Sequence, residues 1–270
     1  MKKKNTLQVL LATMNQTNDT VLDKMKIASD IIVCNQNKDF FRKREYVRDG
    51  HNVQWYDLSE KGVGLNRNNA LMRASADICL IADDDVTYLD NYEATIIKAY
   101  EDNPNADVIL FNIHTDSKHK RFICNKKMKI NRFNCGRFGG VRITFRRSKV
   151  IKNSICFNLL FGGGTKYTAG EDVMFIRDCI RKGLKVIAVP DYILSLREER
   201  ESTWFKGYDK KFFNDVGSSY VYHYGKFAHL FSMIQLFRKR NTWLKDTKFS
   251  IANKWVKEGI REYKELWKNL

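Results

Sequence analysis

Three consecutive carboxylates, Asp83, Asp84 and Asp85, follow directly on an apolar run at residues 78–82. A run that is apolar at every position is typical of a β-strand covered on both faces. In open α/β sheets, ligands bind beyond the carboxyl ends of the strands. Because three adjacent carboxylates repel one another, a hard divalent cation with oxygen ligands would stabilise them. We therefore predict a metal site here, with a solvated acidic turn as the alternative.

A second motif, GVGLNRN at residues 62–68, stands at the start of a predicted helix just before this strand. Its glycines let the backbone approach a ligand closely, and both Arg67 and a helix N-terminus attract an anion. The spacing matches neither the dinucleotide-binding nor the phosphate-binding glycine loop. The motif predicts an anion site, and an ordinary helix start with a solvated arginine is the alternative.

Gly170, Glu171 and Asp172 form a third motif, at the start of a helix predicted over residues 171–181. The backbone N–H groups at a helix N-terminus stabilise carboxylates in their ionised form. Taken alone, this motif favours an ordinary helix start over a catalytic pair.

Together and in this order, the three motifs resemble those of the family 2 glycosyltransferases of the GT-A fold. The residues that carry the likeness are Gly62, Arg67 and Asn68, then Asp83, Asp84 and Asp85, then Gly170, Glu171 and Asp172. The stretch ESTWF at residues 201–205 is also similar to members of that family. The likeness covers residues 7–217, approximately, and leaves the C-terminal residues aside.

The resemblance implies a sugar transfer assisted by a metal. Asp85 would hold Mn²⁺ or Mg²⁺ on the diphosphate of a nucleotide-sugar donor, and Asp83 or Asp84 would contact the ribose or the sugar. The metal would neutralise the departing nucleoside diphosphate and so make it a good leaving group. Arg67 and Asn68, which match the family's Arg-Asn pair, would flank the nucleotide.

The resemblance also implies which residues are catalytic. Asp172 would be the general base that removes the proton from an acceptor hydroxyl as it attacks the anomeric carbon, which inverts the configuration there. Glu171 would support the acceptor or the base.

Two positions depart from the family's pattern. Members usually carry an acidic residue that reads the nucleobase in the loop after the second strand, where this chain has Asn35. An amide also hydrogen-bonds a base edge, so we still predict nucleotide binding, with a UDP-sugar as donor. Many relatives place a metal-ligating histidine after the Glu-Asp pair, and the candidate here is His223. Because it lies between Tyr222 and Tyr224, a packed aromatic cluster is the alternative.

Short apolar runs alternate with helix-like stretches up to residue 113, which predicts βαβ units. This indicates an α/β fold, with a Rossmann-like, mostly parallel sheet flanked by helices. We expect a catalytic domain over residues 1–217 and a helical, basic, aromatic extension over residues 218–270. We predict strands at residues 7–12, 30–34, 53–57, 77–82, 107–113, 141–145 and 185–189, the last ended by Pro190, and helices at 65–74, 92–102 and 171–181.

The chain of 270 residues carries 48 Lys and Arg against 31 Asp and Glu, a net charge of +17. Such an excess predicts an anionic partner, although a biased genome composition is an alternative explanation. Residues 226–270 have a net charge of +7 among aromatic side chains, and residues 118–137 hold eight basic residues. We predict that the extension lies on an anionic membrane surface. The alternative is that Phe231, Ile234 and Phe237 pack on the catalytic domain.

Cysteine and hydropathy patterns bear on the compartment. The six cysteines form no CxxC pair, and no apolar stretch approaches the ~18 residues that would span a bilayer. These features predict reduced thiols and a cytoplasmic protein that acts at the inner face of the cell membrane. A hydrophobic content of 43% argues against wholesale disorder and against a multi-span membrane protein.

We therefore predict an inverting, metal-dependent glycosyltransferase that moves a sugar from a nucleotide-sugar to a hydroxyl of a glycan or lipid-linked glycan, in bacterial-type cell-surface polysaccharide synthesis. A basic nucleic-acid-binding module is one alternative. This alternative is disfavoured because the sequence contains no recognisable nucleic-acid-binding motif and because the acidic triplet repels phosphates. No nucleic acid partner is therefore expected. The second alternative is a metal-dependent nucleotidyltransferase. This function would give Gly170, Glu171 and Asp172 no role.

Overall fold

The computed structural model describes residues 5–115, 121–197 and 207–268. Within them the strands are β1 (Leu7–Met14), β2 (Asp30–Asn37), β3 (Arg42–Arg48), β4 (His51–Ser59), β5 (Ile78–Asp83), β6 (Val86–Tyr88), β7 (Val108–His114), β8 (Met128–Lys129), β9 (Ile143–Arg146) and β10 (Val186–Leu196). The helices are α1 (Thr20–Met25), α2 (Val63–Arg73), α3 (Tyr92–Asp102), α4 (Arg147–Lys152), α5 (Glu171–Arg181), α6 (Lys210–Tyr224), α7 (Ala228–Arg238), α8 (Arg240–Trp243) and α9 (Phe249–Lys268).

The strands form one mixed sheet in the order β3-β4-β2-β1-β5-β9-β7-β10-β6, with β8 paired to β10. Parallel pairs join β4, β2, β1 and β5 in turn, and also β7 and β10. β9 lies antiparallel between β5 and β7, and β3 and β6 pair antiparallel at the two ends. The α/β class is confirmed. The sheet is mixed rather than mostly parallel, because these antiparallel strands do not come from βαβ units.

β10 continues through Pro190 to Leu196, so the prediction that Pro190 ends this strand was wrong. The pairing of β10 with β7 shifts register between Ala188 and Tyr192. Proline has no N–H to donate, and an irregularity of this kind lets a strand resume beyond it. The carbonyl oxygen of Pro190 accepts a hydrogen bond from Asn112 Nδ2 at 3.0 Å.

Successive residues of the central strands enter two different hydrophobic clusters, one on each face of the sheet. On β5, Leu80 belongs to one cluster, and its neighbours Cys79 and Ile81 belong to the other. Side chains alternate across a strand, so an apolar residue at every position means that both faces are covered. The prediction from the apolar run at residues 78–82 is confirmed, and Asp83 follows at the point where this burial ends.

The chain forms two compact units, Met1–Leu159 with Glu171–Glu201, and Leu160–Gly170 with Ser202–Leu270. The first unit contains the sheet, and the second contains α6 to α9. The domain boundary predicted after residue 217 falls inside α6 and stays a prediction. Part of the basic stretch at residues 118–137, and the ESTWF segment at residues 201–205, lie outside the described residues.

Two glycines allow α6 and α9 of the second unit to pack closely. A Cβ on Gly217 would lie 2.2 Å from the carbonyl oxygen of Val256, and a Cβ on Gly259 would lie 2.0 Å from that of Asn214. Because a helix carbonyl cannot turn aside, this approach requires glycine at both positions. The helical character predicted for the C-terminal extension is confirmed. In the part of the chain that the structure describes, no helix is both long and apolar enough to cross a membrane.

Candidate active site

The three acidic residues lie at the carboxyl end of β5, beside the end of β1. Ala12 of β1 pairs with Asp83 in the register of the sheet. Thr13 Oγ1 donates to Asp84 Oδ2 at 2.6 Å, and Gln16 Nε2 donates to the same oxygen at 3.0 Å. Two neighbouring parallel strands therefore end in polar side chains at the same edge of the sheet, where ligands bind in this class of fold.

The guanidinium of Arg67 joins the three sequence motifs. Its Nη1 donates to Glu171 Oε1 at 2.8 Å, and its Nη2 donates to Asp83 at 2.8 and 3.0 Å. Arg67 is buried on α2, and its partners lie 16 and 104 residues further along the chain. Burial alone would lower the pKa of Arg67, but Asp83 and Glu171 hold it above its usual value. The arginine therefore stays charged and positions both carboxylates.

Glu171 is buried at the start of α5, and its environment favours the protonated form. Burial and the charge of Asp172 raise the pKa of Glu171 to about 7, and the guanidinium of Arg67 opposes this rise. A carboxyl group that titrates near neutrality is a common feature of sites that transfer protons.

Asp172 follows in the first turn of α5, where its carboxylate is held from two sides. Its Oδ1 accepts a hydrogen bond from the N–H of Val173 at 2.9 Å. Its Oδ2 lies against Gly139, where a Cβ would be only 2.7 Å away. Gly139 has an extended backbone with φ −177°, so space and not conformation requires glycine there.

Asp85 lines a pocket at the same edge of the sheet. Partial desolvation and the charges of Asp83 and Asp84 raise the pKa of Asp85 to about 6. A divalent cation would relieve this repulsion, and carboxylate oxygens are ligands that Mg²⁺ and Mn²⁺ take. The pocket is lined by Gln16, Thr20, Val21, Lys24, Asp84, Asp85 and Arg197.

The residues present fit a metal that is only partly held by protein. Among the described residues, no three His, Cys, Asp or Glu side chains form a group that could hold a metal by themselves. Mg²⁺ in phosphate-transferring sites is often held by one or two carboxylates, with the substrate's phosphates and water completing its shell. Asp85 could be such a carboxylate ligand, with the phosphates of the donor completing the coordination of the metal.

His223 of α6 lies among aromatic rings. Its ring centroid is 5.6 Å from that of Tyr222 and 6.1 Å from that of Tyr224. These contacts agree with the aromatic-cluster alternative, and a role of His223 as metal ligand stays a prediction.

Asn68 and Asn35 are both engaged by other parts of the chain. Asn68 Nδ2 donates to the carbonyl oxygen of Phe157 at 2.9 Å, and the N–H of Phe157 donates back to Asn68 Oδ1 at 2.7 Å. Asn35 Nδ2 donates to the carbonyl oxygen of Gln16 at 2.9 Å and to Asp57 Oδ1 at 2.7 Å. Both residues shape the loops around the site, and their roles in donor binding stay predictions.

A comparison with families of known proteins decides the class of this chain. The model of the family described as glycosyl transferase family 2 matches residues 12–161, which is more than half of the chain. The chain belongs to glycosyl transferase family 2. The family, the fold class and the glycosyltransferase activity predicted from the sequence are thereby confirmed. A search of curated proteins found no match to this glycosyltransferase.

The fold of this family 2 glycosyltransferase is similar to crystal structures of S. aureus TarS. The structure of TarS 1–349 in complex with UDP-GlcNAc superposes with a TM-score of 0.64 at 14% identity, over 93% of this chain and 78% of that chain. The complex of the same fragment with UDP gives 0.60 at 13% identity, with the same coverage. A longer TarS chain gives 0.61 at 13% identity, over 91% of this chain and 46% of that one. At these identities the likeness shows the fold.

No motif in the sequence pointed to Asp57 of β4, which lies beside Asn35 at this edge of the sheet. Burial alone would raise the pKa of Asp57, but hydrogen bonds from Asn35, Trp55 and Arg42 hold it below its usual value. Asp57 pairs with Asn35 in the register of β2 and β4. The sequence did contain an indication of this position. Asp57 is the last residue of the strand predicted at residues 53–57, and the carboxyl ends of parallel strands share one edge of the sheet.

Gly139→Ala in this glycosyltransferase should lower the transfer rate about 10-fold or more without unfolding the protein. The added methyl group would displace the Asp172 carboxylate, whose Oδ2 would otherwise lie 2.7 Å from it. An aspartate side chain can turn, so the melting temperature should change little. Gly136→Ala is the matched control, since a Cβ there meets nothing within 4 Å. Equal rates for the two variants would contradict the expected need for a fixed Asp172 carboxylate.

Proposed function

We propose that this family 2 glycosyltransferase moves a sugar from a UDP-sugar to a hydroxyl of a glycan acceptor, with inversion and with Mn²⁺ or Mg²⁺ as cofactor. The observation that carries the proposal is the bridge that Arg67 makes between Asp83 and Glu171. It brings the acidic triplet, suited to a donor diphosphate, next to the Glu-Asp pair, suited to proton transfer. The TarS fragment of similar fold binds UDP-GlcNAc, which supports a UDP-sugar as donor.

In the proposed reaction, Asp172 accepts the proton of the acceptor hydroxyl while the hydroxyl oxygen attacks the anomeric carbon. Attack from the face opposite the leaving nucleoside diphosphate inverts the configuration. Asp172 is suited to this role because its carboxylate is oriented by the Val173 N–H and by the space beside Gly139. Glu171, held by Arg67, supports the base or the acceptor. Arg67 is then a positioning residue, since its guanidinium contacts carboxylates of the protein.

Asp85 would hold the cation, whose chemistry is to neutralise charge on the leaving diphosphate. Lys24 and Arg197 line the same pocket and add positive charge beside that group. Asp83 and Asp84 remain the candidates for contact with the ribose or the sugar of the donor.

The test is release of UDP from UDP-GlcNAc, in water and with glycan acceptors, as a function of Mn²⁺ concentration. Asp85→Ala is expected to lower the metal-stimulated rate about 10²-fold or more. Asp90→Ala is the matched control, because Asp90 lies five residues further along the chain and its side chain is 90% exposed. An Asp85→Ala variant with the wild-type rate and the wild-type response to Mn²⁺ would overturn the proposed role of Asp85.

Two further measurements, made beside the UDP-release assay, separate the two alternative functions. Pyrophosphate release from a nucleoside triphosphate, without UDP-sugar turnover, would favour a nucleotidyltransferase. Tight and steeply salt-dependent binding of a random oligonucleotide, again without turnover, would favour a nucleic-acid-binding module.

We further propose that the C-terminal helices rest on an anionic membrane, at the cytoplasmic face where lipid-linked glycans would be acceptors. Leu230, Ile234 and Phe237 lie on one face of α7, and Phe227 extends that face at its start. Ala228, Ser232 and Leu236 occupy the opposite, buried face. Leu230 is 56% exposed and Phe237 is 62% exposed. Residues 226–250 contain six basic residues against one acidic residue, and basic residues stand at both ends of α7, where positive charge complements anionic lipids.

Flotation with vesicles tests this surface. The double variant Leu230→Ser/Phe237→Ser is expected to bind phosphatidylglycerol vesicles at least about 10-fold more weakly than wild type, because two side chains no longer enter the interface. Met72→Ser, at a residue 68% exposed on α2 in the other unit, should bind as wild type does. Equal binding of the double variant and wild type, or no binding of wild type, would overturn the membrane proposal.

A further inference from the structure

Arg142 is a buried cation for which the protein supplies little compensation. It ends the short 3₁₀ turn before β9 and is 2% exposed. Its Nη1 donates to the carbonyl oxygen of Phe122 at 3.1 Å, and its guanidinium carbon lies 5.3 Å from the ring centre of Phe138. Its Nε is buried without a hydrogen-bond partner. In the part of the chain that the structure describes, Arg142 makes no ion pair with an aspartate or a glutamate.

The charge of Arg142 is unfavourable for folding. Burial lowers the pKa of Arg142 to about 10, Arg121 lowers it further by repulsion, and Asp172 partly offsets both. A buried charge without a paired counter-ion destabilises the folded state, and an apolar side chain of similar volume is often better tolerated there. Packing therefore does not explain why an arginine occupies this position, whereas an anionic ligand would.

Arg142 closely follows the two glycines that face Asp172, the proposed base for the acceptor hydroxyl. Gly139 and Gly140, just before it, are the glycines that face Asp172: a Cβ would lie 2.7 Å from Oδ2 at the first and 3.6 Å at the second. The negative charge of Asp172 also raises the pKa of Arg142, against the effect of burial. On the donor side, Lys24 and Arg197 already line the pocket of Asp85. An anion at Arg142 would thus belong to the molecule from which Asp172 takes a proton.

The segment around Arg142 has one sign of charge. Residues 121–142 contain seven basic residues and no acidic residue. Arg121 is exposed and Arg137 lies 5.0 Å from the ring of Phe122, whose carbonyl oxygen binds Arg142. A segment with this excess of positive charge raises the local concentration of anions and repels cationic partners.

We propose that Arg142 binds an oxyanion of the acceptor, a phosphate or a carboxylate close to the hydroxyl that receives the sugar, with Arg121 at the entrance. The guanidinium fork binds either group through two parallel hydrogen bonds, and the unpaired Nε offers one of the donors. The proposal rests on the proposed function, because it assigns the acceptor to Asp172. It narrows the acceptor class from glycans in general to anionic glycans.

Polymer binding and donor turnover together test the inference. Biolayer interferometry would use immobilised poly(glycerol phosphate), polygalacturonate and neutral dextran, and UDP release from UDP-GlcNAc with Mn²⁺ would be measured in parallel. Wild type should bind at least one anionic polymer and not dextran. Arg142→Met should bind that polymer at least about 10-fold more weakly. Its UDP release in water should stay at the wild-type level, and its melting temperature should stay equal or rise.

Two controls make the outcome specific. Lys182→Met removes one charge at an exposed position at the end of α5 and should leave polymer binding unchanged, which separates site binding from attraction to the net charge of +17. Arg121→Met, at an exposed position, provides a second test if Arg142→Met does not fold. Weakening by Arg142→Met with either anionic polymer supports the proposal, and the polymer that binds identifies phosphate or carboxylate.

Some results would exclude the anion subsite at Arg142 alone, and others would exclude the proposed function on which it rests. Equal binding of the polymers by wild type, Arg142→Met and Arg121→Met, or dextran binding as tight as that of the anionic polymers, would remove the anion subsite while UDP release continued. An absence of UDP release from wild type would instead remove the proposed function. A lower melting temperature for Arg142→Met with unchanged polymer binding would give Arg142 a purely structural role.

Discussion

Asp172→Asn is expected to lower kcat for sugar transfer about 10³-fold and to leave the affinity for UDP nearly unchanged. An amide cannot take up the hydroxyl proton as a carboxylate does, although its shape is nearly the same. The asparagine oxygen can still accept from the Val173 N–H, which lies 2.9 Å from Asp172 Oδ1, so the first turn of α5 should be retained. The substitution also removes a charge that raises the pKa of Glu171, so that pKa should fall.

Initial rates of UDP release with Mn²⁺, and thermal shifts with UDP, measure the two quantities. Asp178→Asn is the matched control, because Asp178 lies on the same helix and pairs with Arg181 at 3.1 Å, away from the first turn. A near wild-type rate for Asp172→Asn would remove Asp172 from the mechanism. An equal loss in both variants would point to damage to α5 instead of to a lost base.

Arg67→Met is expected to abolish transfer and to lower the melting temperature by about 6 °C or more. The substitution leaves the buried Glu171 and the half-buried Asp83 without their shared cation. Breaking a buried ion pair in this way costs about 3 kcal/mol, the lower end of the usual range, because the Asp83 side chain is 34% exposed and water screens its charge. Transfer should be lost because neither carboxylate then has a defined position.

This loss of stability should depend on pH, and the titration of Glu171 determines whether the loss grows or shrinks as pH rises. Its pKa is about 7 in the folded protein, above its ordinary value of 4.5, so the folded state binds the proton more tightly than the unfolded state. The free energy of unfolding therefore falls as pH rises from 4.5 towards about 7. Without Arg67, which lowers this pKa, the fall should extend to higher pH. The difference in melting temperature between wild type and Arg67→Met should thus be larger at about pH 8 than at about pH 5.5.

Arg67→Lys separates charge from geometry. A lysine retains the cation but has no planar fork to hold Asp83 and Glu171 at once, so we expect partial recovery of stability and little recovery of transfer. A melting temperature of Arg67→Met equal to that of wild type at both pH values would show that the bridge contributes no net stability.

The helices α3 and α5 begin and end at the predicted residues, because their local signals are complete. Asn103 and Pro104 mark the end of the first, and Gly183 follows the last turn of the second. β3 was not predicted. It consists largely of charged side chains at the edge of the sheet, and such strands lack an alternating apolar signal because charge protects them from pairing with other chains.

The acidic triplet, the Arg-Asn pair and the Glu-Asp pair were all recognised in the sequence, but their contacts were not. From its match to the family's Arg-Asn pair, Arg67 was expected to flank the nucleotide. In the structure its guanidinium contacts Asp83 and Glu171. Asn68 likewise binds the main chain of Phe157. Nothing local distinguishes a solvated arginine from one that bridges two carboxylates, because the difference depends on which residues the fold brings within hydrogen-bond distance.

By itself, the sequence determined the class of the protein: a buried strand that ends in three aspartates, and a helix that begins with Glu171 and Asp172, are encoded by adjacent residues and their period. Tertiary structure alone decided how these parts act together. It placed Gly139 against Asp172, paired Asp57 with Asn35 and left Arg142 buried without a paired carboxylate among the described residues. The physical reason is that burial and charge pairing are set by sheet register and helix packing, which join residues far apart in the chain.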